Sequence, residues 1–210
     1  DKPFVPVNCT AIPEGLHEGE LFGYEKGAFT GAVKSKKGFF AQAHEGTIFL
    51  DEVSEMPESM QAKLLRVIQE RQFYPLGKEH PVNVDFRILT ATNKNLKEEV
   101  ANGHFREDLF YRIFVIPINL PPLRERKEDI PLLVDHFIKK YNGDMKKSIK
   151  GFTGPALRKL MDYSWPGNVR ELENTIEYAV AMTTQEMVGE DLILQANEMA
   201  DSDPKPLKEA

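Results

Sequence analysis

Short apolar runs alternate with longer amphipathic patterns over the first part of the chain. Continuous apolar strands are typical of a parallel sheet covered on both faces. Runs of this kind occupy residues 4–9, 47–50, 87–92 and 114–118. Pro57 stands where proline is favoured, at a helix start, and Met60, Leu64 and Ile68 follow as an apolar stripe. The alternation predicts an α/β domain, built on a parallel sheet, over residues 1–120.

The pattern becomes helical after Asn119. The segment Leu120-Pro121-Pro122-Leu123 is a stiff connector. Apolar stripes at helical spacing then follow at Ile130–Tyr141, at Ala156–Met161 and at Val169–Val180. We therefore expect a small helical lid subdomain over residues 121–195. The polar, proline-containing segment 196–210 has the composition of a linker.

Composition and charge restrict the class of protein. The chain has 210 residues, of which 41% are hydrophobic and 29% charged, as in ordinary globular domains. A formal net charge of -6 argues against a segment whose main role is to bind nucleic acid. The only cysteine, Cys9, fits a reducing, cytoplasmic location, and no apolar run is long enough for a membrane span. The chain begins at Asp1 rather than Met, so we expect a piece of a longer protein.

Two adjacent acids, Asp51 and Glu52, end the second predicted strand. The first carboxylate suits the water shell of Mg²⁺, and the second suits a base that activates water for attack on a phosphate. Acids are also common at solvated strand ends, so these two residues by themselves favour neither interpretation.

A glycine-rich segment is the most unusual part of the sequence. Gly27 and Gly31 bracket Ala28-Phe29-Thr30 and permit a tight reversal that carries an aromatic ring and a hydroxyl at its tip. An exposed phenylalanine there indicates contact with a partner. In a generic sequence, the alternative of a turn whose Phe29 folds into the core would be favoured.

The hexapeptide Gly27-Ala28-Phe29-Thr30-Gly31-Ala32, with Glu20-Leu21-Phe22-Gly23 before it, resembles the hallmark of sigma-54-dependent transcription activators. These bacterial enhancer-binding proteins are a branch of the AAA+ ATPases. The resemblance extends over nearly the whole chain. It implies a central ATPase domain that couples ATP hydrolysis to remodelling of sigma-54 RNA polymerase for promoter opening. ATP and Mg²⁺ are the implied cofactors, and a hexameric ring is the implied assembly.

The resemblance also implies roles for single residues. The loop from Gly27 to Ala32 would contact sigma-54, with Phe29 making the apolar contact. Asp51 would hold Mg²⁺ through water, and Glu52 would activate the attacking water. Asn8 matches an asparagine that pairs with the catalytic glutamate; the plain alternative is a turn residue at a strand end.

Further positions match sensors and arginine fingers of the family. Thr92 and Asn93 would sense the γ-phosphate, although asparagine is also a good helix cap. Arg106 and Arg112 would reach the nucleotide of a neighbouring subunit and stabilise transition-state charge there. A surface ion pair with Glu107 or Asp108 is the alternative for them.

The helix after Trp165-Pro166-Gly167-Asn168 carries Arg170, which matches the lid sensor of the family. A solvated arginine is the alternative. Residues 73–84 resemble the second pore-side loop, whose residues would help the Phe29 loop move. Cys9 and the histidines show no metal-ligand spacing, so we predict no metal site made of side chains alone.

One family feature is missing from the sequence. The phosphate-binding pattern G-x-x-x-x-G-K-[ST] does not occur in the 210 residues, nor does the strand that leads into it. We expect this loss to leave two strand edges unpaired and to make these residues alone inactive. The sensory domain and the C-terminal domain that would bind enhancer DNA are also expected elsewhere. The competing hypothesis is a non-catalytic module that binds sigma-54 or sister subunits.

Overall fold

The computed structural model describes residues 2–13 and 15–192, and the predicted linker over 196–210 lies outside them. The chain divides into two compact units, Asp1–Pro117 and Ile118–Ala210. Each unit has its own hydrophobic core.

The first unit is built on a three-stranded parallel sheet in the order β1-β4-β7. Its strands and helices are β1 (Phe4–Asn8), α1 (His17–Phe22), β2 (Gly23–Tyr24), β3 (Lys36–Lys37), α2 (Phe39–Gln42), β4 (Gly46–Asp51), α3 (Glu58–Glu70), β5 (Gln72–Phe73), β6 (Val82–Asn83), β7 (Phe86–Thr90), α4 (Leu96–Ala101) and α5 (Glu107–Ile113). The predicted α/β architecture is confirmed, and three of the four predicted strands form within two residues of their expected bounds.

The strand β4 lies between β1 and β7 and contributes buried apolar side chains to the core. Ile48 and Leu50 are fully buried. The helix α3 begins at Glu58, with Pro57 as its N-terminal cap, and buries the predicted stripe that includes Leu64 and Ile68. Burial of each such side chain contributes about 1.5–3 kcal/mol.

The predicted strand over residues 114–118 is wrong. Helix α5 ends at Ile113, and the segment that follows leaves Val115, Ile116 and Ile118 between 72% and 82% exposed. An apolar run becomes a strand only where a neighbouring backbone offers hydrogen bonds. Among the described residues β7 pairs with β4 alone, and no strand pairs with residues 114–118.

The second unit is helical, as predicted. Helices α6 (Ile130–Met145), α7 (Gly154–Asp162) and α8 (Asn168–Met182) form it, with a short parallel pair of strands, β8 (Gly151–Phe152) and β9 (Met187–Val188). This pair corrects the expectation of helices only. The residue Trp165 is fully buried and donates from its indole nitrogen to the carbonyl of Leu160 at 2.7 Å, which joins α7 to the start of α8.

Candidate functional site

Parallel strand register brings the predicted polar residues of the first unit to one edge of the sheet. Asn8 pairs with Asp51, and Leu50 pairs with Thr90. Because all three strands run in the same direction, their carboxyl ends meet at this edge, where α/β proteins place ligands. We call Asn8, Asp51, Glu52, Thr92 and Asn93 the carboxyl edge.

The backbone of Glu52 is in the left-handed region, with φ 52° and ψ 48°. That conformation costs about 1–3 kcal/mol for a residue other than glycine and concentrates at functional sites. The surroundings hold it in place: the next backbone N–H, that of Val53, donates to the carbonyl of Ala91 at 3.0 Å. The chain therefore turns sharply at the second acid.

Hydrogen bonds fasten the turn after Glu52 to the segment after β7. The backbone N–H of Asn93 donates to Oε2 of Glu52 at 3.2 Å. The hydroxyls of Ser54 and Thr92 are 2.8 Å apart, and Lys94 forms an ion pair with Glu55 at 2.7 Å. The pKa of Lys94 is raised by that hydrogen bond.

Sequence reasoning missed Ser54. It lies three residues after Asp51 and is buried, and a small hydroxyl so close to the acid pair was the signal available in the sequence. Thr92 was expected to end its strand, but it leaves the ladder and accepts from the N–H of Lys94 at 3.0 Å. Asn95, rather than Asn93, caps the next helix, by accepting from the N–H of Lys97.

The amide of Asn8 is engaged locally in this structure. Its oxygen accepts from the backbone N–H of Thr10 at 2.9 Å and from the Thr10 hydroxyl at 2.7 Å. The carboxylate of Glu52 instead accepts from Asn93. The turn-residue alternative therefore describes Asn8 in this conformation, although its register keeps it beside Asp51.

Cys9 is buried directly behind this edge. Burial raises the pKa of the Cys9 thiol to about 11, and the negative charges of Asp51 and Glu52 add to the effect. A thiol with such a pKa stays protonated and unreactive at neutral pH.

Arg106 and Arg112 belong to one short element. Arg106 is the N-terminal cap residue of α5. Its guanidinium donates two hydrogen bonds to the carboxylate of Asp108, at 3.0 and 2.7 Å, and these bonds lower the pKa of Asp108. Arg112 lies exposed in the last turn of α5. The surface ion pair expected as the alternative is thus present for Arg106.

The loop from Gly27 to Ala32, the Phe29 loop, is held by local backbone bonds. The N–H of Gly27 donates to the carbonyl of Ala32 at 2.9 Å, and the N–H of Ala32 donates to that of Phe29 at 3.0 Å. The ring of Phe29 is 43% exposed and meets the edge of Tyr24, with ring centres 5.0 Å apart. Phe29 therefore lies on the surface, not in the core. Thr30 is exposed beside it.

The segment 73–84 packs against the base of this loop. The N–H of Glu25 donates to the carbonyl of Leu76, and the N–H of Leu76 donates to the carbonyl of Gly23, both at 2.9 Å. A Cβ at Gly77 would lie 2.9 Å from that of Ala28. The two loops are therefore in direct contact.

In the second unit, Arg170 is exposed in the first turn of α8. The turn before it is fixed by two contacts: Gly167 donates its N–H to Glu171 at 2.8 Å, and Asn168 accepts from the N–H of Leu123 at 2.8 Å. Arg170 thus projects from a rigid helix start.

The donor set of the carboxyl edge fits a hydrated magnesium ion. In the described part of the chain no group of three or more His, Cys, Asp or Glu side chains could hold a metal ion. Mg²⁺ keeps several waters and needs only one or two carboxylates together with substrate phosphates. The carboxylate of Asp51 meets that requirement.

Comparison with known proteins identifies the family. The sigma-54 interaction domain matches residues 1–119, and the AAA+ ATPase lid domain matches residues 124–209. The chain belongs to the sigma-54 interaction domain family. Its two units are thus those of an AAA+ ATPase: an α/β domain and a helical lid.

Relatives of this sigma-54 interaction domain are bacterial regulators. The transcriptional regulatory protein ZraR of Salmonella typhimurium is 50% identical over 190 residues, which are 90% of this chain and 43% of that protein. The nitrogen fixation protein AnfA of Azotobacter vinelandii is 53% identical over 188 residues, 90% of this chain and 35% of that protein. The chain thus spans less than half the length of either relative.

A solved structure agrees with the fold. The crystal structure of NtrX from Brucella abortus in complex with ADP matches with a TM-score of 0.84 at 36% identity, over 99% of this chain and 46% of that one. NtrX in complex with ATP matches with a TM-score of 0.83 at 38% identity, over 94% and 46%. Within the described residues, no helix is long and apolar enough to cross a membrane.

Proposed function

We propose that this chain is the ATP-hydrolysing part of a sigma-54-dependent transcription activator, and that it couples hydrolysis to remodelling of sigma-54 RNA polymerase for promoter opening. The observation that carries the proposal is the carboxyl edge. Two acids, one on a strained left-handed residue, lie beside Thr92 and Asn93 in a chain of the sigma-54 interaction family.

The two acids have different environments and therefore different roles. Asp51 ends β4 and accepts from the N–H of Glu52 at 3.1 Å, which supports its proposed role as the ligand for hydrated Mg²⁺. Bound Mg²⁺ would supply positive charge against the phosphate oxygens of ATP. Glu52 is aimed by the N–H of Asn93 and takes the proton of the attacking water.

Asn8 is the restraint on Glu52 in a second conformation. The two residues end neighbouring strands, since Asn8 pairs with Asp51. A rotation of the Asn8 amide away from Thr10 would let its nitrogen donate to the Glu52 carboxylate. Thr92 and Asn93 are the proposed sensors of the γ-phosphate. Asn93 donates its backbone N–H to Glu52, and Thr92 hydrogen-bonds to Ser54 in the turn after Glu52, so both residues are coupled to the proposed base.

Three arginines have proposed roles toward nucleotide: Arg106, Arg112 and Arg170. Arg106 and Arg112 act on the ATP of a neighbouring subunit, which requires a homo-oligomer, and we propose a hexameric ring. Arg106 exchanges Asp108 for phosphate, a partner that a guanidinium fork binds in the same two-pronged way. Arg170 senses the nucleotide from the lid.

The Phe29 loop is the proposed contact with sigma-54. Its exposed ring and hydroxyl suit a mixed apolar and polar partner surface. The contact with Leu76 and Gly77 lets the second loop support it.

The wider protein is proposed to be a cytoplasmic regulator, with a sensory domain of the two-component type and a domain that binds enhancer DNA. The phosphate-binding loop would also lie outside these 210 residues. The fragment alone should therefore turn over ATP far more slowly than the full-length protein. Equal rates of phosphate release would contradict this part of the proposal.

Substitution of Glu52 by glutamine in the full-length protein tests the main proposal. ATP binding should persist while phosphate release falls by about 100- to 10,000-fold, because the base is lost and the shape is kept. Glu128→Gln, an exposed charge-matched change in the second unit, should leave turnover unchanged. Retained turnover in Glu52→Gln would remove Glu52 from the role of base. A parent protein that binds sigma-54 without any turnover would support the non-catalytic module instead.

A further inference from the structure

The residue Gln61 is a buried polar side chain that no role has yet explained. It lies in α3, and its exposed fraction of 1% is the lowest among the buried polar and charged residues of the described chain. A buried amide is retained at little cost only when its hydrogen bonds are made, since an unpaired one costs the full desolvation of the group.

The bonds of Gln61 all go to backbone groups of two other segments. Its Nε2 donates to the carbonyl of Met56 at 2.8 Å and to the carbonyl of His104 at 3.1 Å. Its Oε1 accepts from the backbone N–H of Arg106 at 2.9 Å. Both amide hydrogens and the oxygen are thus used, which is a fully connected bridge.

One end of the bridge belongs to the turn that follows Glu52. Met56 ends the 3₁₀ turn Val53–Glu55, and that turn is fastened to the segment after β7 through Ser54 and Thr92. Gln61 therefore grips a segment that is already fixed to the carboxyl edge.

The other end holds the start of α5. Arg106 caps this helix without a side-chain cap hydrogen bond of its own, so the bond to Gln61 satisfies a backbone N–H at the cap. The same amide fixes His104, two residues earlier. Gln61 therefore fixes the backbone from which the Arg106 side chain leaves the surface, while Asp108 holds the guanidinium group.

We propose that Gln61 is a positioning residue for Arg106: it ties the arginine offered to a neighbouring subunit to the turn that carries Glu52. The inference rests on the proposed function, because it requires Arg106 to act in trans. The inference predicts that loss of the Gln61 amide misplaces the Arg106 that a subunit presents to its neighbour. The function of Glu52 in the same subunit should be retained.

Subunit mixing in the full-length protein separates these two effects. Gln61→Met keeps the length of the side chain and removes the bridge. Turnover of this variant alone should fall about 10- to 100-fold, as expected for a small misplacement of a catalytic group. Mixed with Glu52→Gln, it should regain activity, since its own Glu52 then receives an intact Arg106. Mixed with Arg106→Ala, it should gain nothing.

The control mixture is Glu52→Gln with Arg106→Ala, each inactive alone. Recovery there shows that Arg106 acts between subunits, and absence of recovery would overturn the proposed function and this inference with it. If the control recovers but Gln61→Met is rescued by Arg106→Ala, or by neither partner, the inference fails while the proposed function stands. Gln61→Leu, a shorter apolar side chain that also removes all three hydrogen bonds of the bridge, is the second variant for the same mixtures should Gln61→Met not fold.

Discussion

The carboxyl edge and the Phe29 loop are held by different amounts of structure. The edge ends a five-residue parallel register between β1 and β4, and its turns are joined by bonds between Glu52 and Asn93 and between Ser54 and Thr92. The Phe29 loop lies between the strands β2 and β3, which pair over only two residues each. The proposed chemistry on phosphate requires groups fixed to fractions of an ångström, whereas the proposed partner contact requires a segment with few restraints.

The reactivity of the Cys9 thiol tests the rigidity of the carboxyl edge, and it has the largest effect expected among these tests. Burial, with Asp51 and Glu52 nearby, raises the pKa of Cys9 from 9.0 to about 11. At pH 8 the thiolate fraction falls from roughly a tenth to roughly a thousandth, so alkylation of native Cys9 should be about 100-fold slower than in urea. Mass spectrometry after timed iodoacetamide treatment measures both rates.

The sign of the stability effect follows from the same pKa. Well below pH 9 the thiol is protonated in both states, so the free energy of unfolding does not change with pH through Cys9. Between pH 9 and 11 the unfolded chain releases the proton that the folded chain keeps, so stability falls as pH rises. A native alkylation rate that rises with the same midpoint as the unfolded chain would show that the edge is open to water.

The sequence predicted the carboxyl edge because the edge follows from local patterns. An apolar run that ends in Asp51-Glu52, and another that ends near Thr92, must bring their last residues together once the strands are parallel. The lid was predictable for a similar reason, since the buried positions of α6 and α8 recur at helical spacing. These features depend on neighbours in sequence.

The rest depends on contacts between distant segments, which a single sequence does not reveal. The left-handed backbone of Glu52 is imposed by Ala91 and Asn93, some forty residues away. Gln61 looks like any helix residue until His104 and Arg106 fold against it. The apolar residues 114–118 resembled a strand, but Pro117 removes one ladder donor, and no described strand pairs with them.

Substitution of Phe29 by alanine tests the second region of the comparison, the Phe29 loop. In the full-length protein, sigma-54-dependent transcription should fall about 30-fold or more, because an aromatic anchor at an interface is worth about 2 kcal/mol or more. Phosphate release should change by less than about twofold, because the ring is 43% exposed and lies outside the carboxyl edge. Transcription from a sigma-54 promoter and phosphate release are measured on the same preparation.

Val33 provides the matched control for Phe29. It is 73% exposed and follows the loop directly, so Val33→Ala removes apolar surface of similar position without touching the hexapeptide. Both activities should be retained. An equal loss of transcription in the two variants would mean that general surface change, rather than the Phe29 contact, is responsible.

Substitution of Gly77 by alanine is the mildest test, because it loosens the contact between the two loops without removing a functional side chain. Gly77 has φ +75°, and an added Cβ would lie 2.9 Å from the Cβ of Ala28. Gly103 has a similar φ of +77° with nothing within 4 Å, so Gly103→Ala carries the backbone strain without the clash. Hydrogen exchange at the amides of Glu25 and Leu76 should accelerate about tenfold in Gly77→Ala and remain unchanged in Gly103→Ala. Equal exchange in both variants would show that the Phe29 loop does not rest on Gly77, and its freedom would then come from its own short strands alone.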